Sequence, residues 1–387
     1  MFEYFPGEPN WNFSIALALL GGGNIHEIDG AIGPLKALPD RGTDAAQAAW
    51  CECWASLGAR LEGLAATDKA AGHLLSAGRK YLIASIYYLI AERQVNRQDP
   101  LKLQTYVKLL ECFKNGVVLG KNPVEFVEIR YKDTSLPALF VPALGEGPAP
   151  CMIHFDGADG LKEILYFVTN NEYRRRGVSL LIVDHPGVGE ALRLRNLYTG
   201  PDTEVPAGAC VDYLETRPDV DAERIGIVAM SLGGYYAPRA AAFEKRLKCC
   251  VAWGAAWDFS IVVEKLAEEL KDDHLMNFQF AWITGQDTLE GTLAVARQMT
   301  LEGVADKITC PFLVVHGEND RLLPVAIAER TLNAAINSPV RKLKVFTAEE
   351  GGVEHCQVDD GQIASEYISD WVAEILGGDP QGVEQAE

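Results

Sequence analysis

The sequence predicts an α/β fold in which a mostly parallel, doubly wound sheet follows a helical N-terminal region. Three observations carry that expectation. Six continuous apolar runs of strand length recur between helix-like segments: Cys151–Phe155, Val178–Val183, Ile225–Ala229, Cys249–Trp253, Phe312–His316 and Leu343–Thr347. Runs without polar alternation are what strands covered on both faces require, and strands alternating with helices make parallel sheets. One run, Ile225–Ala229, leads through Met230 to Ser231-Leu232-Gly233-Gly234 and passes at once into the helix-like Tyr235–Ala242. Finally, residues 1 to about 120 carry helical spacing and no strand pattern.

In chain order, Thr43-Asp44 reads as a cap for a helix that runs to Leu64. Ser76–Arg93 reads as a second helix, and Lys102–Phe113, after Pro100, as a third. From Pro123 the period changes to two. Val124–Tyr131 alternates apolar and polar, Lys132-Asp133 turns, and Leu136–Val141 returns, predicting an edge hairpin. The six apolar strands follow. After Cys249–Trp253, the sixth strand when the two of the hairpin are counted, an insertion, about 259–305, carries two mixed-charge helical segments, Ile261–Leu270 and Leu289–Met299. The expected division is therefore a helical region 1–122, a catalytic-type α/β domain 123–377 and a flexible tail 378–387 rich in Gly, Gln and Glu.

Composition bounds the function. The chain has 387 residues, 48% hydrophobic and 23% charged, enough to bury a large core. Lys+Arg 35 against Asp+Glu 54 gives −19, which argues against nucleic acid or an anionic membrane as partner. A small molecule is the expected partner. Nine cysteines, several inside apolar runs, point to reduced thiols and a cytoplasmic location. Cys51-x-Cys53 lacks a second pair at metal spacing. The N-terminus has no basic-then-apolar leader, and the longest apolar run, Tyr81–Ala91, is too short to span a bilayer.

The chemistry is expected at strand ends, where doubly wound sheets place ligand sites. Ser231 stands at a strand-to-helix turn, the context of a nucleophile elbow, although Ala229 occupies the first small position where glycine is usual. The alternative for Ser231 is an ordinary helix cap. Asp320 follows the fifth apolar run in His316-Gly317-Glu318-Asn319-Asp320, and His355 follows the sixth. The order Ser231, Asp320, His355 suits a triad in which His355 is general base and Asp320 holds its tautomer. Glu318 is a competing acid, and Asp320 could merely cap a helix. Of seven histidines, only His355 follows the last strand; His154 and His316 read as structural and His185 as a weaker candidate. The oxyanion donors would be the Leu232 amide and, from the loop after Cys151–Phe155, the Ala158 amide beside Gly157. Asp156 in that loop reads as an anchor, while Asp159 reads as either an anchor or a substrate contact. Tyr235, Trp257 and Glu264 are the remaining substrate-contact candidates, each with a packing or surface alternative.

In these residues the chain resembles the α/β-hydrolase superfamily over roughly residues 123–375. Within it, the chain looks like the group containing 2,6-dihydroxypseudooxynicotine hydrolase and the polyketide-shortening hydrolases of fungal melanin pathways. The matching landmarks are Gly157-x-x-x-x-Lys162-Glu163, Asp184-x-Pro186-Gly187-x-Gly189-Glu190, Ser231-Leu232-Gly233-Gly234-x-Tyr236, Arg246-Leu247, Trp253-Gly254, His316-Gly317 and Glu354-His355-Cys356. The resemblance implies a helical cap formed by the N-terminal region and the insertion, often a homodimer, and no metal or organic cofactor. It implies serine-dependent hydrolysis of a carbon–carbon bond beside a ketone. A carboxylesterase or amidase would use the same triad. A hydrolase fold kept only for binding is the reading from another class.

Overall fold

The structure, a computed structural model, describes residues 2–158, 160–169, 171–269 and 274–383. Its chain divides into two compact units, Met1–Pro123 and Val124–Glu387.

The first unit is helical throughout. Its helices are Pro9–Leu20, Ile25–Ile32, Asp44–Ala70, Leu74–Arg93 and Pro100–Leu119. The Thr43 hydroxyl does accept from the Ala46 N–H at 3.2 Å, so the cap lies where the sequence suggests, but the helix continues past Leu64 to Ala70. Trp11 stacks on Trp50 at 4.4 Å between ring centroids, and Trp54 continues the aromatic core. Helices Leu74–Arg93 and Pro100–Leu119 approach closely because glycines face the contact. A Cβ on Gly116 would lie 2.6 Å from Leu82. A buried pair, Lys102 Nζ to Glu92 Oε1 at 2.9 Å, closes that helical hairpin.

The second unit is built on one eight-stranded sheet. Its strands are β1 Glu125–Tyr131, β2 Thr134–Val141, β3 Ala149–Phe155, β4 Ser179–Val183, β5 Val220–Met230, β6 Cys250–Trp253, β7 Phe312–Gly317 and β8 Arg341–Phe346. They lie in the order β1-β2-β4-β3-β5-β6-β7-β8. The edge hairpin pairs antiparallel, β2 also runs antiparallel to β4, and every other neighbour is parallel. The alternation in β1 and the apolar runs in β3 to β7 account for this layout: β1 is half exposed, whereas β3, β4, β6 and β7 are buried almost throughout.

Chain direction across the sheet reverses at β3, since β4 lies on one side of it and β5 on the other. The crevice at the carboxyl ends of β3 and β5 is thus the topological switch point, where such sheets bind ligands. Among the described residues, the insertion after β6 holds three helices, Phe259–Glu269, His274–Ile283 and Leu289–Ala296. The sequence predicts the first and third of these, while the second was not expected. The tail differs from expectation. Gly378, Asp379 and Val383 donate backbone bonds to Ala373, Arg176 and Arg175, so residues up to Val383 are tied down. Among the described residues no helix is long and apolar enough to cross a membrane.

Candidate active site

The elbow forms because β5 and the helix Gly233–Phe243 meet with almost no room between them. Ser231 adopts φ +61°, a left-handed conformation that is rare for a side chain and costs about 1–3 kcal/mol. Its N–H donates to the Trp253 carbonyl on β6 at 2.8 Å, and its carbonyl accepts from the Gly234 N–H at 2.8 Å. Two glycines are sterically required. A Cβ on Gly234 would lie 1.8 Å from the Gly254 carbonyl, and one on Gly233 would lie 2.6 Å from the Ala229 methyl. That second distance explains why Ala229 is tolerated: the methyl of position 229 fills the space that Gly233 leaves.

The three strand-end residues come together across the sheet. Ser231 Oγ lies 2.8 Å from His355 Nε2, and His355 Nδ1 lies 2.7 Å from Asp320 Oδ2. Asp320 Oδ1 accepts from the amides of Leu322 and Leu323, both at 2.9 Å, so the turn after β7 aims the carboxylate. Glu318, the competing acid, is exposed and accepts from the Ala348 amide instead. The histidine loop is braced against β6. Trp253 Nε1 donates to Gln357 Oε1 at 2.7 Å, and Cys356, at φ +50°, directs its Sγ to the Trp253 carbonyl at 3.5 Å. His316 supports the acid turn by donating from Nε2 to the Leu323 carbonyl at 2.6 Å, a role that its in-strand position concealed.

Charge in this cluster is strongly polarised. Burial disfavours a charged His355, yet the Cys356 sulfur and the Asp320 carboxylate outweigh it and hold the imidazole well above the ordinary histidine value. Burial likewise opposes a charged Asp320, but its bond to His355 and the Leu323 amide keep the carboxyl below its usual range. His154 in β3 and His185 after β4 behave oppositely, because burial outweighs the contacts that favour the charged ring. His154 and His185 are both pushed down to about 4. Asp320 therefore stays an anion that stabilises an imidazolium on His355, which is what proton transfer from a serine hydroxyl requires.

The loop after β3 lies against the elbow at Gly157, where a Cβ would sit 2.6 Å from the Ser231 Cβ and 2.7 Å from the Met230 carbonyl. Asp156 anchors the loop, accepting from the Gly157 amide at 2.7 Å and the Leu161 amide at 3.1 Å. Among the described residues, the Ala158 and Leu232 amides donate to no protein acceptor. Two open amides beside a serine hydroxyl can hold an oxyanion. Gly157→Ala is expected to push this loop off the elbow and lower kcat by roughly 10- to 100-fold, read in steady-state assays beside a thermal melt lowered by only about a few degrees.

Three expected substrate contacts have other partners. Tyr235 is fully buried and its hydroxyl donates to the Pro201 carbonyl at 2.7 Å. Trp257 is buried in the core with the Arg330 guanidinium 4.2 Å from its ring centroid. Glu264 is exposed and pairs with Arg297 at 3.3 Å. Tyr235 and Trp257 are thus packed inside the protein, and Glu264 lies on the surface. Asp159 lies outside the described residues. Among the described residues no group of three or more His, Cys, Asp or Glu side chains could hold a metal ion.

Comparison with known proteins adds the following. The profile of a family described as esterase FrsA-like matches residues 43–300. The alpha/beta hydrolase gkaG of Penicillium citrinum is 28% identical over 367 residues, covering 82% of this chain and 84% of that protein. The 2,6-dihydropseudooxynicotine hydrolase of Paenarthrobacter nicotinovorans is 27% identical over 333 residues, covering 84% of each. A solved structure of a 2,6-dihydroxy-pseudo-oxynicotine hydrolase superposes with a TM-score of 0.76 at 26% identity, over 94% of this chain and 95% of that one.

Proposed function

Starting from the fact that the chain belongs to the FrsA-like esterase family and has the fold of the α/β hydrolases, we propose that it is a serine hydrolase cleaving a carbon–carbon bond beside a ketone. The observation that carries the serine mechanism is the unbroken hydrogen-bonded chain from Ser231 through His355 to Asp320, set on a strained elbow. The carbon–carbon reading is supported by similarity along most of both chains to hydrolases named for 2,6-dihydropseudooxynicotine.

The geometry supports the following mechanism. His355 Nε2 takes the Ser231 proton as Oγ adds to the ketone carbon, and the carbonyl electron pair moves onto oxygen as an alkoxide. The amides of Ala158 and Leu232 hold that alkoxide, and Asp320 stabilises the imidazolium. As the tetrahedral adduct collapses, the carbon–carbon bond breaks and its electron pair leaves with the departing carbon. The His355 imidazolium delivers its proton there. This demands a stabilised carbanion, as an enolate or an electron-rich aryl carbon supplies, and so points to aryl ketones and 1,3-dicarbonyls. Water activated by His355 then releases the acyl group from Ser231.

The family's description as esterases favours a second reading, in which the leaving group is an alkoxide. The two separate by parallel kcat/KM measurements on acyl-phenols, β-diketones and p-nitrophenyl esters. Preference for the ketones is expected. Rapid ester turnover with no ketone cleavage would leave the esterase reading in place.

A further inference from the structure

Two of the sequence landmarks, Gly157-x-x-x-x-Lys162-Glu163 and Asp184-x-Pro186-Gly187-x-Gly189-Glu190, play no direct part in the chemistry above, yet the structure joins them in one buried charged cluster. Lys162 is 3% exposed. Its Nζ lies 2.7 Å from Glu163 Oε1, 2.9 Å from Asp184 Oδ2 and 2.5 Å from Glu190 Oε1. Asp184 also accepts from the Lys162 amide at 2.9 Å and the Glu190 amide at 2.8 Å. The two loops touch through backbone as well, with the Gly189 amide donating to the Gly160 carbonyl at 3.0 Å. A Cβ on Gly189 would lie 2.0 Å from the Asp184 carboxylate, so only glycine allows this approach.

These bonds fasten the carboxyl end of β3 to that of β4. The strands are parallel neighbours with Phe155 beside Val183. The loop that leaves Phe155 must return to Lys162, and within this span Asp156, Gly160 and Lys162 are all held. Ala158 lies between the Gly157 contact with the elbow and this anchorage, with an amide that donates to no described protein acceptor. An ion cluster is a costly way to gain stability, since burying charges forfeits hydration that apolar packing would not. What it supplies is direction: the Asp184 carboxylate that Lys162 holds also binds the Lys162 and Glu190 amides, and so fixes backbone on both loops. Burial also pushes Glu163 up to about 7 against the pull of Lys162.

We propose that Lys162, through its bonds to Glu163, Asp184 and Glu190, is a positioning residue that holds the loop after β3 so that the Ala158 amide meets the oxyanion. The proposal rests on the serine mechanism above, for esters and ketones alike.

The test is Lys162→Met, with Glu190→Gln as a milder change at the more open edge of the cluster. Three quantities are measured in each: kcat and KM on the better wild-type substrate, and affinity for an alkyl trifluoromethyl ketone, which adds to the serine and places an oxyanion in the hole. Lys162→Met is expected to lower kcat roughly 100-fold, the scale of one lost oxyanion donor, with KM within about threefold. Affinity for the trifluoromethyl ketone falls by the same factor. Glu190→Gln follows the same pattern at about a tenth of that size, and decides the matter if the lysine variant does not fold. A merely structural role would lower the melting temperature and leave both kcat and ketone affinity in place. Unchanged ketone affinity in the folded variant overturns the proposal. If instead the wild-type enzyme forms no adduct with the ketone, it is the serine mechanism that fails.

Discussion

Ser231→Ala is expected to abolish labelling by a fluorophosphonate probe and to lower kcat by roughly 10⁶-fold, because members of a triad act as a unit. The variant should fold. Alanine at φ +61° carries the same backbone penalty that serine carries, and the Ser231 N–H and carbonyl bonds to Trp253 and Gly234 do not involve the side chain. What disappears is the only hydroxyl within reach of His355 Nε2 among the described residues. The Cys356 sulfur lies 3.5 Å from the same nitrogen, so a small residual rate in the alanine variant would be sought there, by adding Cys356→Ser. Loss of labelling together with loss of turnover also excludes the reading in which the fold serves binding alone. A Ser231→Ala enzyme that still cleaves ketone or ester at more than about 1% of the wild-type rate contradicts a serine nucleophile.

The three positions that the structure joins by hydrogen bonds were legible because each follows an apolar strand in a doubly wound sheet, at the ends where such sheets bind ligands. Ser231, Asp320 and His355 are far apart in the chain, but the parallel register of β5, β6, β7 and β8 brings the loops after β5, β7 and β8 to one edge. The positive φ of Ser231 was not legible from the sequence. Nor was the reason Ala229 is harmless, which lies in the Ala229–Gly233 packing and appears only once strand and helix are in contact. Side-chain direction was the other obscure quantity. Tyr235 follows the elbow glycines, but the helix turns its hydroxyl toward Pro201; Trp257 follows a strand end, but faces Arg330 and the core. Proximity in sequence to a site says nothing about which side of a helix or loop a residue presents. The landmarks at Lys162 and Asp184 were visible as motifs, whereas their partnership across 22 positions needed the β3–β4 register.

Asp320→Asn tests the acid and the electrostatics together. Asparagine can keep the Leu322 and Leu323 amide bonds through its carbonyl oxygen, so the turn after β7 should survive and the protein should fold. It cannot supply the charge that stabilises the imidazolium, and its amide can turn a donor toward His355 Nδ1 and favour the wrong tautomer. Turnover is expected to fall by roughly 10⁴-fold, the loss that follows when the carboxylate behind a catalytic histidine is neutralised. The pH profile should move as well, in a direction that follows from the charges. Attack by Ser231 needs a neutral imidazole, so kcat/KM rises with pH as His355 loses its proton in the free enzyme. Because Cys356 and Asp320 hold His355 well above 6.5, the acid limb of the wild-type profile should have its midpoint above pH 6.5. Removing the Asp320 charge withdraws one of the two influences that favour the imidazolium while burial continues to oppose it, so the midpoint in Asp320→Asn should shift to lower pH. Glu318 is placed to make the converse check. It is exposed and bound to the Ala348 amide, so Glu318→Gln should leave both plateau and midpoint within about twofold and a few tenths of a pH unit. A profile that stays in place in Asp320→Asn, or turnover that falls in Glu318→Gln instead, would reassign the acid.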